Sequence, residues 1–271
     1  MTITKMHGTG NDFILVNNIK EQIPDNQLNS LAKTLCHRRF SVGADGLILA
    51  DHSASEDIRM IFINADGSRG EMCGNGARCF SRFCYEEGLV SESMSMETLA
   101  GKVESRRIDD SFYQVTLPNP WVINDMTLEV QGRDMDATYV ELGHPGVPHL
   151  CTELHNLEDI DQEELFLLGK TLRGHRDLVK GANVNFYKKL TKTTFLEKTF
   201  ERGVEDFTMS CGTGSASVAI TIWKKNPQLK NTPIELEVPG GRLIVEAKWD
   251  HDQVKELLLT GPTEVVFTTT L

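Results

Sequence analysis

A cysteine motif that occurs twice constrains this 271-residue chain more than any other feature. Residues 72–77 read MCGNGA, and residues 210–215 restate this as SCGTGS. After each copy, apolar residues recur at the spacing that forms one buried stripe of a helix. They are Ala77, Phe80 and Cys84 after the first copy and Ala216, Ala219, Ile220 and Trp223 after the second. Cys73 and Cys211 are therefore each predicted to lie at the N-terminus of a helix.

The surroundings of the two cysteines also correspond, in the same order and at nearly the same spacing. The matching positions are Asn64 and Arg202, each nine residues before its cysteine, and Gly101 and Gly241, 28 and 30 residues after theirs. Repetition on this scale indicates two homologous units. We expect two pseudo-symmetric halves, residues 1–117 carrying Cys73 and residues 118–261 carrying Cys211. A pseudo-twofold axis is expected to relate them, with both cysteines at the seam and the Pro-Asn-Pro segment 118–120 as a hinge.

Local patterns predict several further elements. Residues 2–6 and 13–16 read as strands joined by a Gly-rich loop over residues 7–12. A helix is expected over residues 163–172. Apolar residues with helical spacing predict an amphipathic helix at Leu28, Leu31, Ala32, Leu35 and Cys36.

The charge balance of the chain excludes several classes of partner. Lys and Arg number 28 against 39 Asp and Glu, which gives a net charge of −11, and no long basic run occurs. Nucleic acid and anionic membrane are therefore not expected as partners. No segment has the apolar length of a membrane span or the pattern of a secretory signal. Because the six cysteines also follow no secreted disulfide framework, we expect a soluble, cytoplasmic protein.

A cysteine at a helix N-terminus has a defined chemistry. The amides of the helix start and the positive end of its dipole stabilise a thiolate and also bind a carboxylate. Two such sites suggest a pair of thiols around a small anionic substrate. One thiolate removes a proton from one face of an sp³ carbon while the other thiol protonates the opposite face, which inverts the centre. Proton transfer of this kind typically contributes ~10²–10⁴-fold to a rate.

No cofactor is expected for this chemistry. The chain has no lysine in a recognisable pyridoxal context and no convincing dinucleotide fingerprint. It also lacks a Cys-x₂-Cys or His-x₃-His pair that could seed a zinc site, so no metal is expected.

Seven short motifs follow one another along the chain. They are KMHGTGNDF (5–13), GADGL (43–47), NADGS (64–68), EMCGNGAR (71–78), NVNF (183–186), ERG (201–203) and CGTG (211–214). In this order they resemble the diaminopimelate epimerase family over nearly the whole chain. The resemblance implies an α/β fold of two similar halves, each a mixed sheet around a central helix, with residues 262–271 returning to the first half. It also implies cofactor-independent conversion of LL- to meso-diaminopimelate, a step toward lysine and peptidoglycan precursors.

The resemblance also implies roles for individual residues. Cys73 and Cys211 resemble the acid–base pair of the family. The residues that resemble anchors for the reacting α-carboxylate and amine are Gly74, Asn75, Gly212 and Thr213. Those that match residues around the substrate, several of them at its distal amino-acid group, are Asn11, Asn64, Asn183, Glu201 and Arg202. An arginine suits a planar carboxylate because it forms two parallel hydrogen bonds.

Simpler structural roles compete with some of these assignments. Asparagines shape turns, so Asn11, Asn64 and Asn183 are also explained as loop residues. On spacing alone, a surface ion pair is the favoured interpretation of Glu201 and Arg202. Their position before the second cysteine motif favours a role at the site instead. Small buried cysteines are usually core residues, and this interpretation is applied to Cys36, Cys79, Cys84 and Cys151.

Three other functions remain open. A racemase or epimerase of another amino acid fits the same fold, with distal contacts altered at Val147 or Phe207. A cysteine–histidine hydrolase would need only one cysteine, with His7 or His149 as the base. A pure binding module would exchange no hydrogen at any substrate carbon. The expected partner is a small amino acid, and a homodimer is compatible with the sequence.

Overall fold

The computed structural model describes residues 1–251 and 253–271. These residues form two compact units. The N-terminal unit comprises Met1–Thr116 and Thr260–Leu271, and the C-terminal unit comprises Leu117–Leu259. Within the described residues, no helix is long and apolar enough to span a membrane.

The N-terminal unit is a mixed sheet with a helix packed on one face. Its strands are β1 (Thr2–Gly8), β2 (Asn11–Asn17), β3 (Gly46–Asp51), β4 (Ile58–Asn64), β5 (Ser93–Thr98), β6 (Gly101–Arg107), β7 (Phe112–Leu117) and β17 (Glu264–Thr270). Its helices are α1 (Asn18–Glu21), α2 (Asp25–Leu35) and α3 (Gly74–Glu86). The strand order is β17, β1, β2, β3, β4, β5, β6, β7, and only β2/β3 and β4/β5 are parallel pairs among those described.

Helix α3 is central to this unit and packs against β1, β2, β3 and β6. The stripe predicted from the sequence, Ala77, Phe80 and Cys84, is fully buried. The predicted amphipathic helix is α2, whose buried Leu28, Ala32 and Leu35 join a core cluster with the strands. Both helix predictions are confirmed.

The C-terminal unit has strands β8 (Pro120–Val130), β9 (Arg133–Leu142), β10 (Val147–Glu153), β11 (Asn183–Lys189), β12 (Thr194–Glu201), β13 (Asp206–Thr208), β14 (Ile234–Val238), β15 (Gly241–Asp250) and β16 (Gln253–Pro262). Its helices are α4 (Gln162–Arg173), α5 (Gly212–Lys225) and the 3₁₀ helix Pro227–Leu229. The strand order runs β8, β9, β10, β11, β12, β14, β15, with β13 beside one end of β12. The predicted helix over residues 163–172 is α4.

The two units repeat one topology. In the first, β3 and β4 are antiparallel, α3 follows, β5 lies parallel to β4, and β6 returns antiparallel to β5. In the second, β11, β12, α5, β14 and β15 have the same sequence of pairings. Each cysteine therefore occupies the same place in its unit, between a strand and the helix that follows it. The predicted mixed α/β fold with two similar halves is confirmed.

The loop predicted over residues 7–12 was wrong at both ends. Strands β1 and β2 continue pairing until Gly8 meets Asn11, so the turn consists of Thr9 and Gly10 alone. Both turn residues have positive φ, 51° and 84°, which matches the twist of a tight two-residue hairpin. Asn11 is consequently held on a strand.

Candidate active site

Cys73 is the N-cap residue of α3, as the motif predicted. Its backbone is extended, and its carbonyl accepts the first helical hydrogen bond, from Ala77 N at 2.7 Å. The amides of the first turn therefore point out of the N-terminal end of the helix. The Cys73 thiol makes no capping bond; its Sγ donates to Asn11 Oδ1 at 3.4 Å.

Asn11 is oriented by a carboxylate on the neighbouring loop. Its Nδ2 donates to Asp45 Oδ2 at 2.6 Å, which leaves Oδ1 facing Cys73. The same Oδ1 accepts a weak hydrogen bond from Asn75 Nδ2 at 3.5 Å. Three of the predicted site residues, Asn11, Cys73 and Asn75, therefore lie in contact.

A network of charged side chains joins Asp45 and supports this arrangement. Asp12 accepts hydrogen bonds from Lys5 Nζ at 2.6 Å and from both terminal nitrogens of Arg38, and Arg38 also pairs with Asp45 at 2.7 Å. Lys5 also donates to the Gly43 carbonyl. Burial opposes ionisation of Asp12, but these hydrogen bonds and charges hold its pKa well below the usual value. The motifs at residues 5–13 and 43–47 are thus parts of one network.

Asn64 ends β4 and shapes the turn that follows. Its Nδ2 donates to Ser68 Oγ at 2.9 Å, and its backbone pairs with Ser68 and Gly67. Ser68 in turn is bound by Asp66. No described contact joins the Asn64 side chain to Cys73, so the loop interpretation accounts for what the structure shows of it.

Cys211 occupies the corresponding place in the C-terminal unit. It is the N-cap of α5, its carbonyl accepts from Ser215 N at 2.9 Å, and its Sγ lies 3.6 Å from Thr213 Oγ1. Burial raises the pKa of the Cys211 thiol well above its usual value, and the Glu201 carboxylate acts in the same direction. The hydrogen bond from Thr213 opposes this rise.

Glycine is required in the first turn of α5. A Cβ on Gly214 would lie 2.4 Å from Asn185 Oδ1 and 3.2 Å from Cys211 Cβ. The corresponding Gly76 in α3 is less crowded, with Ile48 Cδ1 at 3.0 Å. The second glycine of each motif therefore allows the helix start to approach the strands beneath it.

Asn183 joins two predicted site segments through backbone groups. Its Oδ1 accepts from Arg202 N at 2.8 Å, and its Nδ2 donates to Pro148 O at 3.2 Å. The Arg202 guanidinium donates to Lys180 O at 2.8 Å.

A buried polar network that no sequence motif indicates lies beneath α5. The Glu197 carboxylate, fully buried, accepts from Ser215 Oγ at 2.6 Å and from Thr199 Oγ1 at 3.3 Å. Thr199 Oγ1 lies 3.0 Å from Asn185 Oδ1. Burial raises the pKa of Glu197 to about 7, while the two hydroxyls lower it. A weak signal was present: Phe195, Glu197 and Thr199 alternate along β12.

The remaining cysteines are core residues. Cys36, Cys79, Cys84 and Cys151 are buried free thiols. Burial raises the pKa of Cys36 to about 11 and that of Cys79 and Cys151 to about 12. The prediction that these four cysteines are core residues is confirmed.

The histidines do not support a cysteine–histidine pair. His149 is fully buried, contacts Asn185 Nδ2 through Nδ1 at 3.3 Å, and has a pKa lowered to about 3 by burial. His7 Nε2 lies 3.4 Å from Glu264. Within the described residues, neither imidazole hydrogen-bonds to a cysteine.

Phe207 and Val147, the two positions considered above for altered distal contacts, differ in their structural surroundings. Phe207 packs against Phe186 and Phe200, with ring centroids 6.2 and 5.5 Å away. It therefore belongs to the core of the C-terminal unit. Val147 begins β10, pairs with Leu142 and is 39% exposed.

Comparison with solved structures identifies the fold. A phenazine biosynthesis protein of the PhzF family from Bacillus anthracis superposes with a TM-score of 0.77 at 14% identity, covering 100% of this chain and 98% of that one. A hydroxyproline epimerase from Agrobacterium vitis, solved with bound trans-4-hydroxy-L-proline, gives 0.71 at 15% identity, covering 99% and 91%. The fold is therefore that of the diaminopimelate epimerase-like proteins.

Comparison of sequences gives a more specific result than the comparison of structures, which identifies only the fold. The chain is similar to the diaminopimelate epimerase of Flavobacterium psychrophilum, with 34% identity over 100% of both chains. It is 35% identical to that of Archaeoglobus fulgidus, over 92% of this chain and 90% of the relative. The family model described as Diaminopimelate epimerase matches residues 3–117 and 144–266. The chain belongs to the diaminopimelate epimerase family.

Proposed function

We propose that this protein is a diaminopimelate epimerase that inverts one α-carbon of LL-diaminopimelate to give the meso isomer without a cofactor. The observation that carries the proposal is the repeated placement of a cysteine at the N-cap of a central helix. Membership in an isomerase family supports the reaction class. We assign the acid and base roles to Cys73 and Cys211.

The chemistry follows from the two thiols. One cysteine, as thiolate, takes the α-hydrogen as a proton and becomes a thiol, leaving a carbanion. The other thiol gives its proton to the opposite face and becomes the thiolate. The product is the inverted centre, and the enzyme is left with its two protonation states exchanged. The proposal requires both sulfurs to reach one substrate carbon.

Helix-start amides supply the electrostatic part of the mechanism. Carbanion formation places negative charge on the α-carboxylate, and fixed N–H donors at a helix N-terminus stabilise such charge. Gly74 and Asn75 begin α3, and Gly212 and Thr213 begin α5. We assign these four residues to the α-carboxylate and amine of the reacting centre.

The distal amino-acid group is assigned to the remaining polar residues. Arg202 is exposed, and its guanidinium retains donors beyond the one used on Lys180 O, so it can receive a carboxylate. Asn183 holds the Arg202 backbone, which makes it a support for this contact. Glu201, Asn11 and Asn64 complete the proposed substrate-binding set.

The proposed setting is the cytoplasm, on the route to lysine and peptidoglycan precursors. Six free thiols in the described chain fit a reducing compartment. The proposed partner is the small-molecule substrate alone. A homodimer is compatible with this proposal.

The test is exchange of the α-hydrogen for deuterium in D₂O, followed by proton NMR. LL- and meso-diaminopimelate are compared with lysine, ornithine, histidine and glutamate. Exchange and interconversion confined to diaminopimelate are expected. Exchange with another amino acid only would retain the two-thiol mechanism and change the substrate, whereas no exchange with any compound contradicts the epimerase assignment.

Single cysteine variants test the roles of the two thiols. Cys73→Ser and Cys211→Ser should each lower epimerisation by at least about 10²-fold, because each removes one proton-transfer group. Cys84→Ala is the matched control, since Cys84 is a buried cysteine near the other end of α3. Retention of activity in either serine variant would contradict the two-base mechanism and favour a single nucleophile.

A further inference from the structure

Glu197 is a fully buried carboxyl group on β12, beneath the start of α5. Its Oε2 accepts a hydrogen bond of 2.6 Å from Ser215 Oγ, and Ser215 is itself fully buried near the N-terminus of α5. Within residues 1–251 and 253–271, no lysine, arginine or histidine forms an ion pair with this carboxyl group. A carboxylate buried without a counter-charge is costly, so its contacts should reveal how the charge is avoided.

The Thr199 hydroxyl lies between two oxygens, Glu197 Oε1 at 3.3 Å and Asn185 Oδ1 at 3.0 Å. The orientation of the Asn185 amide follows from its other end, because Nδ2 donates to the carbonyl oxygens of Leu150 at 3.3 Å and Asn183 at 3.5 Å. Oδ1 is therefore the atom that faces Thr199, and an amide oxygen can only accept. The single proton of the Thr199 hydroxyl is thus used on Asn185.

This assignment decides the state of Glu197. With its own proton used on Asn185, Thr199 Oγ1 can only accept from Glu197 Oε1, so the carboxyl group must supply the proton. In the neutral acid Oε1–H donates to Thr199, while Oε2 accepts from Ser215. In the ionised form, Oε1 and Thr199 Oγ1 would face each other as two acceptors. Burial acts in the same direction and raises the pKa of Glu197 to about 7.

The titratable groups around this acid do not offer it a positive charge. Cys151 and His149 lie on β10; burial raises the pKa of Cys151 to about 12 and lowers that of His149 to about 3, so both are neutral. Burial also raises the pKa of the Cys211 thiol and that of the Tyr187 phenol, which stands opposite the acid on β11. Lys225 lies at the C-terminal end of α5, away from Ser215. The neutral acid is the state that this environment accommodates.

Ser215 links the buried acid to Cys211. Its amide donates to the Cys211 carbonyl at 2.9 Å, while its hydroxyl donates to the acid. One residue earlier, the backbone of Gly214 lies against the same network. A Cβ there would be 2.4 Å from Asn185 Oδ1 and 3.2 Å from both Thr199 Oγ1 and Cys211 Cβ. The two residues that contact the network are thus also in contact with Cys211.

We propose that Glu197 is a positioning residue for the epimerisation: as the neutral acid it anchors Ser215, and through Ser215 it fixes the place from which Cys211 exchanges a proton with the substrate. This inference rests on the proposed function, because it requires Cys211 to be one of the two acid–base groups. Glu197 does not contact the substrate and keeps its proton throughout the reaction.

The first cysteine motif lacks this anchor. Ser215 comes four residues after Cys211, and the residue four positions after Cys73 is Ala77, whose side chain has no donor. The sulfur of Cys73 is instead bonded directly to a side chain, Asn11 Oδ1, at 3.4 Å. The structure therefore supports Cys73 through its sulfur and Cys211 through its backbone.

The experiment measures kcat and KM of Glu197 and Ser215 variants with the substrate that deuterium exchange identifies. Ser215→Ala and Glu197→Met should each lower kcat by about tenfold, because displacement of a reacting group slows the chemical step. KM should stay within about twofold, since the substrate-binding groups are unchanged. Glu197→Gln should keep kcat within about twofold, because its amide donates to Thr199 and accepts from Ser215 as the neutral acid does.

The double variant Glu197→Met/Ser215→Ala tests whether the two residues act together. Its kcat should be no lower than that of either single variant, because both changes remove the same contact. Ser81→Ala is the matched control, since Ser81 is a buried serine of α3 whose Oγ donates within its own helix, to Ala77 O at 2.7 Å. Its kcat should match that of the wild-type protein.

Two kinetic results would overturn the proposal. One is a folded Ser215→Ala protein with wild-type kcat, or with kcat and KM both impaired as expected of a general structural defect. The other is a loss of kcat in Glu197→Gln as large as that in Ser215→Ala. If Glu197→Met does not fold, these two conservative variants decide the question between them.

Infrared spectroscopy tests the neutral acid without any substrate. The difference spectrum between wild type and Glu197→Gln at pH 6 should contain the C=O stretching band of a protonated carboxyl group, and this band should shift in D₂O. Absence of the band overturns the proposal. Failure of the proposed function would appear differently, as a wild-type protein that exchanges no α-hydrogen, so the two failures are distinguishable.

Discussion

Asp45 accepts a 2.6 Å hydrogen bond from Asn11 Nδ2, and this contact decides which end of the Asn11 amide faces Cys73. Without it, the amide could rotate and present its NH₂ group to the sulfur. The orientation of one candidate substrate-binding residue thus depends on a carboxylate outside the cysteine motif.

Asp45→Ala is expected to lower kcat/KM by about tenfold, because misplacement of a group beside the reacting centre slows chemistry without abolishing it. Steady-state kinetics with LL-diaminopimelate measure this. Asp51→Ala is the control, since Asp51 accepts a comparable 2.9 Å bond from Asn18 in the same unit. An equal loss in both variants would indicate a general effect on stability.

Asp12 should make the free energy of unfolding decrease at low pH. Its folded pKa lies below the ordinary value of 3.8, so its stabilising contribution is present above that value and is lost as the pH falls below it. Asp12→Asn should cost about 2 kcal/mol of unfolding free energy at pH 7, because Lys5 and Arg38 lose a charged acceptor. Urea unfolding at pH 7 and pH 3 measures the difference, which should shrink at pH 3.

Glu197 should have the opposite pH dependence. Its folded pKa is raised from 4.5 to about 7, so the folded state retains the proton longer than the unfolded chain. Stability is therefore full below pH 4.5 and declines as the pH rises toward 7, by about 3 kcal/mol in total. Glu197→Gln should abolish this decline in urea unfolding between pH 5 and 8. Glu237→Gln, an exposed change on β14, should leave it intact.

Gly214→Ala and Gly76→Ala form a matched pair at the two helix starts. The added methyl at residue 214 meets the fully buried Asn185 amide at 2.4 Å, and a loss of about 3 kcal/mol is expected. At residue 76 it meets the end of Ile48 at 3.0 Å, so the change should stay within about 1 kcal/mol. Denaturant unfolding checks both values, and equal losses would contradict the asymmetry.

The helix starts could be predicted because their signal is local. The apolar stripes after Cys73 and Cys211 follow helical spacing, and the structure buries them as expected. The two-residue turn at Thr9 and Gly10 escaped prediction because threonine seldom adopts positive φ, so a longer loop was expected. The pairing that places Asn11 on a strand depends on tertiary structure.

The buried charges could not be predicted from patterns. A charged residue normally marks an exposed position, yet Arg78 and Glu197 are both fully buried. Arg78 was visible only as part of a motif, and Glu197 only as an inward position on β12. Asn183 is similar, because asparagine by itself suggests only a turn. Its side-chain hydrogen bonds to Arg202 N and Pro148 O depend on the packing of segments that are distant in the sequence.

The two N-cap cysteines reduce the stability of their helices in exchange for a thiol at the helix start. Serine or aspartate at an N-cap bonds to the helix amides and typically adds about 1 kcal/mol, whereas neither Cys73 nor Cys211 makes such a bond. Both helix starts therefore forgo stability that a single substitution could recover. Serine at either position should yield an inactive protein at least as stable as the native one. Such a protein would hold unreacted substrate long enough for its bound form to be crystallised.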